Sequence, residues 1–401
     1  MPTSYELWLL DDYGRRIALL KDLAFFSYAR SESYYGTIQV GLPYEVLKSL
    51  VFPTFAPDRR IDVWRSPGAG FPTRREETFL VRMERIYTRM DGVQMVVLYG
   101  NDPKDLLRRR WIIQPGGYSQ TNKTDQIDDM MKAIVREQML YGSCVDVDGV
   151  ASNTRAYPQN EFLVDGDVSL GPSYTATFPD RNVLDVLGEL HDASLQLNKE
   201  DPTANRRIFF AVRAFDESDD TTIARQVFKF FTYADRLGQD RTASSLVFSV
   251  ENNNLEAPAY TLSHMDEENS VVVKGPGRGD SKDSATVDDT TAINQSRWNR
   301  CEGVVDASSE PDPAGLPDYG YRQLDKMRVV EELNGVFLNV PEGKSGPRSL
   351  YGIDWDLGDI LPVSYAGVQF ELEVRQVFVS VDDQGIETIT GRNDVNAGAQ
   401  Q

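Results

Sequence analysis

Histidine and cysteine are nearly missing from this chain: 401 residues hold two of each, His191, His264, Cys144 and Cys301. A cysteine-based zinc site needs several thiolates at short spacings, and a disulfide-stapled fold needs a dense set of cysteines; two distant thiols supply neither. They are expected as buried or half-buried thiols. Any Ser–His–Asp or Cys–His nucleophile has to recruit one of the two histidines. His191 follows Leu187 and Leu190 on a helical repeat, which predicts a half-buried helix position. His264, in "TLSHMDEEN", falls in a loop or at a strand end. No Gly-x-Ser-x-Gly elbow occurs, and Ser143 and Cys144 have no activating neighbour in sequence.

Long apolar runs are also missing. No stretch approaches the roughly 20 apolar residues of a membrane helix, and "MPTSYELWLLDDYG" has no basic leader region. The expectation is a soluble chain made in a cytoplasm, without membrane insertion. Basic residues are outnumbered, 42 Lys and Arg against 62 Asp and Glu, for a net charge of −20. Such a surface repels phosphates, so specific nucleic-acid binding through a basic footprint is not expected. At 401 residues, more than one core is the default.

What is present is alternation. "YELWLL" (Tyr5–Leu10) and "RRIALL" (Arg15–Leu20) flank the turn Asp11–Gly14 and predict a hairpin. "GTIQVGLP" (Gly36–Pro43), "RIDVWRS" and the run Thr78–Gly100, with Met90-Asp91-Gly92 at its tip, add antiparallel strands. The pattern then changes. "DPKDLLRRRW" reads as a short helix with Asp102 as N-cap and Pro103 at the first position. Thr124–Leu140 places apolar residues at 127, 130, 131, 134 and 135, and Asn182–Leu197 repeats the helical spacing, with the Gly/Pro/Ser-rich "GPSYTATFPDR" between them. Strands are predicted again at Arg206–Phe215, Arg225–Tyr233 and Ser244–Asn253, and through the closing Asp359–Gly391; "RNDVNAGAQQ" reads as a loose polar tail.

Motifs with chemistry are near misses. "VVVKGPGRGDSKDS" (Val271–Ser284) has Asp280 where a phosphate loop needs its second glycine, and Arg278-Gly279-Asp280 is too short to specify adhesion; a glycine-rich turn is the reading. "EGKSGP" (Glu342–Pro347) has Leu338 at the position that needs glycine. "DVDG" (Asp146–Gly149) would need Glu, not Tyr157, to complete a calcium loop. In "DWDLGD", Asp354 and Asp356 would face one side of a strand, so an acid/base or metal pair is conceivable, against a solvated strand entering a turn at Leu357-Gly358. No catalytic, cofactor-binding or metal residue is assigned.

The order of several segments resembles the tail-hub proteins of long-tailed, non-contractile phages (siphoviruses). The carriers are "NSVVVKGPGRG", an acidic D-x-T-x-I segment (Asp289, Thr291 and Ile293), "RWNRCEGVVDAS" (Arg297–Ser308), and "YGIDWDLGD" (Tyr351–Asp359) leading into a closing hairpin. "YELWLLDDYGRRIALL", "DLLRRR" (Asp105–Arg110) and "GQDRT…LVFSVENNNL" (Gly238–Leu255) are similar in the same order; "RWNR" departs from the family's glycine among the basic residues. The resemblance implies a mainly β fold with a helical insertion (α+β), built as two small antiparallel β-barrels like a baseplate hub. It implies a first hub barrel at 1–115, the insertion at 116–205, a β segment at 206–255 that bridges to or completes a barrel, a second barrel at 256–391, and a tail at 392–401.

It further implies a non-enzymatic virion protein at the tail tip, assembled in the host cytoplasm. The partners implied are two further copies of itself, the distal-tail or tail-tube ring, tail-tip, fibre or receptor-binding proteins, and the tape-measure protein, with DNA passing without specific binding. The segment Tyr351–Asp359 is expected to be structural, so that exchanging both Asp354 and Asp356 for asparagine leaves the fold intact. Two other expectations compete. A tail-associated cell-wall hydrolase would use Asp354 and Asp356, and a carbohydrate-binding adhesin would cluster Tyr34, Tyr35 and Trp64 in a groove.

Overall fold

The computed structural model describes residues 3–32, 34–50, 56–68, 70–113, 121–201, 203–218, 224–277, 279, 282–308, 313–338, 340 and 347–395. The first block contains β1 (Ser4–Leu10), β2 (Arg16–Leu20), β3 (Phe25–Ser31), β4 (Thr37–Pro43), α1 (Tyr44–Leu50), β5 (Arg60–Ser66), β6 (Arg74–Thr88) and β7 (Gln94–Asn101). The middle block contains α2 (Asp105–Arg108), β8 (Trp111–Ile112), β9 (Thr121–Gln126), α3 (Ile127–Met139), β10 (Phe162–Val164), β11 (Ser173–Phe178), β12 (Arg181–Asn182), α4 (Val183–Glu200), β13 (Ile208–Ser218) and β14 (Ala224–Ala234). The last block contains β15 (Leu255–Ser263), β16 (Ser270–Lys274), β17 (Ser284–Asp288), α5 (Thr290–Ile293), β18 (Glu302–Asp306), α6 (Leu316–Lys326), β19 (Val330–Phe337), β20 (Ile360–Tyr365), β21 (Val368–Val381) and β22 (Glu387–Val395).

The fold is mainly β with helices, as the sequence pattern predicts. Twelve strands from the two outer blocks form one sheet in the order β15-β19-β22-β21-β3-β4-β7-β6-β5-β1-β2, with β20 on β21. The halves join where β3 pairs with β21, Tyr28 opposite Val379. No strand pair among the described residues closes this path into a barrel. Strict alternation builds it: Ile38, Val40 and Leu42 point inward from β4. In β21 the inward set is Leu372 and Val374, then Val377, Val379 and Val381. The phase changes from even to odd at a bulge between Val374 and Gln376, which re-aims the strand without losing its apolar face.

A second core belongs to the middle block. Helices α3 and α4 lay Ile127, Met130, Ile134, Val186, Leu187 and Leu190 against Phe210 and Phe230 of β13 and β14. Asn182 starts α4 by accepting the Leu184 N–H at 3.0 Å. A third, small unit stacks α6 on the sheet β17-β16-β18, around Val271, Val273 and Leu316.

Several local expectations are corrected. The helix predicted from Thr124 begins at Ile127, because Thr124–Gln126 pair with β11, the strand formed by most of the supposed Gly/Pro/Ser-rich connection. Asp102 does not cap α2: its carboxylate accepts the Gly36 N–H at 2.6 Å and the Lys104 N–H at 2.9 Å, and the helix starts at Asp105. Ser244–Asn253 forms no strand. Leu246 and Phe248 are buried, but Asn254 and Asn252 bond the Ser249 N–H and the Val247 carbonyl and fold the segment into turns. Arg392–Val395, predicted as loose tail, continues β22 beside β21. Helix α6 lies inside a block read as continuous β.

Candidate functional site

The segment 349–359 folds against the main sheet. Trp355 is fully buried among Phe337 (4.9 Å between ring centres), Tyr351 (5.0 Å) and Phe248 (5.7 Å). Gly358 takes φ +83°, and a Cβ there would meet the Gly238 nitrogen at 2.7 Å, so only glycine fits this turn. Asp354 and Asp356 therefore leave the segment on either side of a buried tryptophan in a turn, and neither is a solvated strand residue.

Each aspartate holds arginine. Asp354 accepts from Arg348 Nε at 2.9 Å and from the Leu350 N–H at 2.8 Å. Asp356 accepts from Arg30 Nη1 at 2.8 Å and Arg74 Nη2 at 3.0 Å. Glu76, buried beside them, takes Arg74 Nε at 3.0 Å and Arg30 Nη1 at 3.4 Å, and Arg30 also donates to Tyr351 Oη at 2.7 Å. Burial alone would raise the Asp356 pKa; Arg30 and Arg74 outweigh it and hold the carboxyl below the usual range. A general acid needs the opposite shift. The network continues to Arg65, whose side chain is fully buried and donates to the Tyr351 carbonyl at 2.7 Å and to Glu387 at 2.8 and 3.1 Å, with Tyr5 on the same carboxylate. These residues tie β1, β3, β5, β6 and β22 to the 349–359 segment.

Beside the network a cavity of about 310 Å³ opens, lined by Trp64, Arg74, Arg75, Glu76, Arg213 and Asp216 among others. Arg75 spans it, bonding Asp216 at 2.5 Å and the Ala214 carbonyl at 2.7 Å, and so clips β13 to β6. Positive and negative groups alternate around it, which suits a joint between units better than a site for one charged ligand. A second buried clasp lies in the middle block. Lys132 sits between Asp128 (3.3 Å) and Asp129 (3.2 Å), and the two carboxylates accept the backbone N–H groups of Val168, Ser169, Leu170 and Gly171. Burial would raise Asp129, but the Ser169 hydroxyl and the Val168 and Ser169 N–H groups pull it down to about 2.

The other sequence candidates are dispersed. His191 is fully buried rather than half-buried, with Nδ1 on the Ile208 carbonyl at 2.6 Å, and burial lowers its pKa to about 4. His264 follows the end of β15 and bonds Glu267 at 2.7 Å. Cys144 is buried and Cys301 half-buried. Tyr34 and Tyr35 stack 4.6 Å apart, but the cavity that Trp64 lines includes neither of them. "DVDG" closes a turn, Gly149 N–H to Asp146 O at 3.0 Å. The glycines Gly275 and Gly277 lie in the β16–β17 turn of the small separate sheet; Arg278, Asp280 and Glu342–Gly346 lie outside the described residues. No group of three His, Cys, Asp or Glu among the described residues is arranged to hold a metal ion. The arginine network itself escaped sequence reading. Its only trace is charge at inward positions of strands, as in Arg65 of "RIDVWRS" and Glu76 of "RREET".

No protein-family model matches the chain, and no curated protein sequence does either. Its fold is nevertheless one already seen in tail proteins. The 43 kDa tail protein of prophage MuSo2 from Shewanella oneidensis superposes with a TM-score of 0.54 at 13% identity, over 97% of both chains. The tail protein from Neisseria meningitidis MC58 superposes with a TM-score of 0.56 at 12% identity, over 99% of this chain and 98% of that one.

Proposed function

We propose that this chain is a structural, non-enzymatic tail-hub protein of a long-tailed, non-contractile virus. Three copies form a ring at the tail tip that joins the sixfold tail tube to the threefold tip and frames the channel for DNA ejection. The observation that carries this reading is the likeness to two tail proteins over nearly the full length of all three chains. The joined outer blocks fit it as well. The strands within 1–115 and those of the main sheet within 256–391 act as two barrel-like lobes, so three chains present six lobes to the tube. The insertion at 116–205, together with β13 and β14, lies outside the ring. The partners are the distal-tail or tail-tube ring, the tape-measure protein, and tip, fibre or receptor-binding proteins. An acidic channel wall lets DNA pass without counterion release to hold it.

Electron microscopy of assembled tails tests the reading. Three copies per tip are expected; six copies or one would overturn it.

A further inference from the structure

We infer that the outer edge of β6 is a docking surface for the outer edge of β15 of a second copy, so that neighbouring subunits continue one another's sheet. The inference rests on the ring reading above and names the contact that would close it. Strand β6 is longer than its neighbours need. Its first half pairs with β5, but that pairing ends at Leu80 opposite Arg60, and after a bulge at Val81/Met83 only β7 pairs with the remainder among the described residues. The run Met83–Thr88 thus offers unpaired backbone groups to an incoming strand, with Met83 and Ile86 each 50% exposed and Met90 fully exposed at the hairpin tip. A free strand edge of this length is a template for another strand unless something covers it.

The complementary edge lies at the end of the sheet path. Among the described residues strand β15 pairs only with β19, and its register breaks between Glu256 and Ala259, around Pro258, which has no N–H to donate. Beyond the break, Ala259–Ser263 is regular, about the length of the free β6 run, with Leu262 54% exposed and Tyr260 beside it. At the other end of the path, the turn before β2 packs on the middle block, with Gly14 against Gln226.

Charge selects the occupant. On the β6 arm Arg82 pairs with Asp58 at 3.0 Å and Arg89 with Asp91 at 3.2 Å, whereas Arg85 stacks on Tyr87 with no acidic partner among the described residues, on a chain whose net charge is −20. The β15–β19 ribbon carries Glu256 and Glu331. Both edges belong to the same chain and differ from each other. The contact is therefore head-to-tail, each copy giving its β6 edge to one neighbour and its β15 edge to the other, which is the arrangement that closes a ring.

The test places cysteines on both edges, Ile86→Cys with Leu262→Cys, in a Cys301→Ser parent, with a short bis-maleimide added to assembled tails. Cross-linked dimers and trimers are expected from the double variant and none from either single variant. Reversing charge on one edge (R85E, or E256K with E331K) should reduce the cross-linked fraction by about tenfold, and combining both reversals should restore it. Circular dichroism of each purified variant checks that these exposed sites leave the fold intact. No cross-link in the double variant, linked dimers in a single variant, a fraction indifferent to charge reversal, or a link to a different tail protein overturns the inference. A threefold tip without the cross-link retires the edge contact and leaves the ring standing; a tip without threefold symmetry retires both.

Discussion

Replacing Trp355 with alanine removes the largest fully buried side chain of the main core. The indole touches Phe248, Phe337 and Tyr351, and the segment that carries it is pinned on both sides by Asp354 and Asp356, so the backbone has little room to collapse into the space left behind. Lost transfer energy and an unfilled cavity together should cost about 3–5 kcal/mol. The indole Nε1 has no hydrogen-bond partner among the described residues, which by itself costs about 1–3 kcal/mol. Trp355→Phe removes that N–H and keeps an aromatic edge against the same three rings, so it should cost at least about 2 kcal/mol less than alanine. Urea titration followed by far-UV circular dichroism, with the m-value compared between variants, measures both. An alanine cost below about 1 kcal/mol would refute the buried anchor. Equal costs for alanine and phenylalanine would refute the account of the aromatic packing.

Other expectations follow from the same geometry. Asp356→Asn should destabilise by about 1–2 kcal/mol, because it withdraws a charge from Arg30 and Arg74 while Glu76 and Tyr351 still hold Arg30; urea titration of the single variant tests this. Asp129→Ala should cost about 2–4 kcal/mol and raise hydrogen exchange at Val168 and Ser169, which lose their acceptor. Burial lowers His191 from 6.5 to about 4, so between these values the unfolded chain binds a proton that the folded chain refuses. Stability should therefore fall by about 3 kcal/mol as pH drops through that window and stay level in this respect below it, a slope absent from His191→Gln. In the assembled tail, reversing acids that face the channel to lysine should slow DNA release in a salt-dependent way, and reversing outward acids should not; equal effects from both faces would sink the acidic-channel account.

Sequence reading succeeded where one physical rule decided the outcome. The hairpin β1–β2 and the core faces of α3 and α4 follow from periodicity and turn chemistry alone. It failed where two local preferences competed. Ser244–Asn253 has the alternation of a strand, but its asparagines bond the backbone groups a sheet would have used. Helix α6 was hidden because its buried face is short, Leu316 and Gly320; the glycine is needed because a Cβ there would meet Val287 at 2.6 Å, a contact with no local sequence signal. The arginine network lay furthest from view. Arg30, Arg74 and Asp356 are ordinary charges in sequence, and only the return of the last strands onto the first makes them neighbours.

That return also sets a schedule for synthesis. Strand β3 waits for β21, and Glu32 meets Arg375 across 343 residues of chain. Tyr5 and Arg65 bond Glu387, close to the end of the described chain. At about 5–20 residues per second, the first strands leave the ribosome tens of seconds before their partners exist. The middle block, whose helices and strands lie close together in sequence, can complete its core in that interval; the outer sheet cannot. A chain that stops short of β22 keeps an unfinished sheet and an unpaired Arg65. Only a chain synthesised through β22 can complete the outer sheet, since that strand joins β19 to β21.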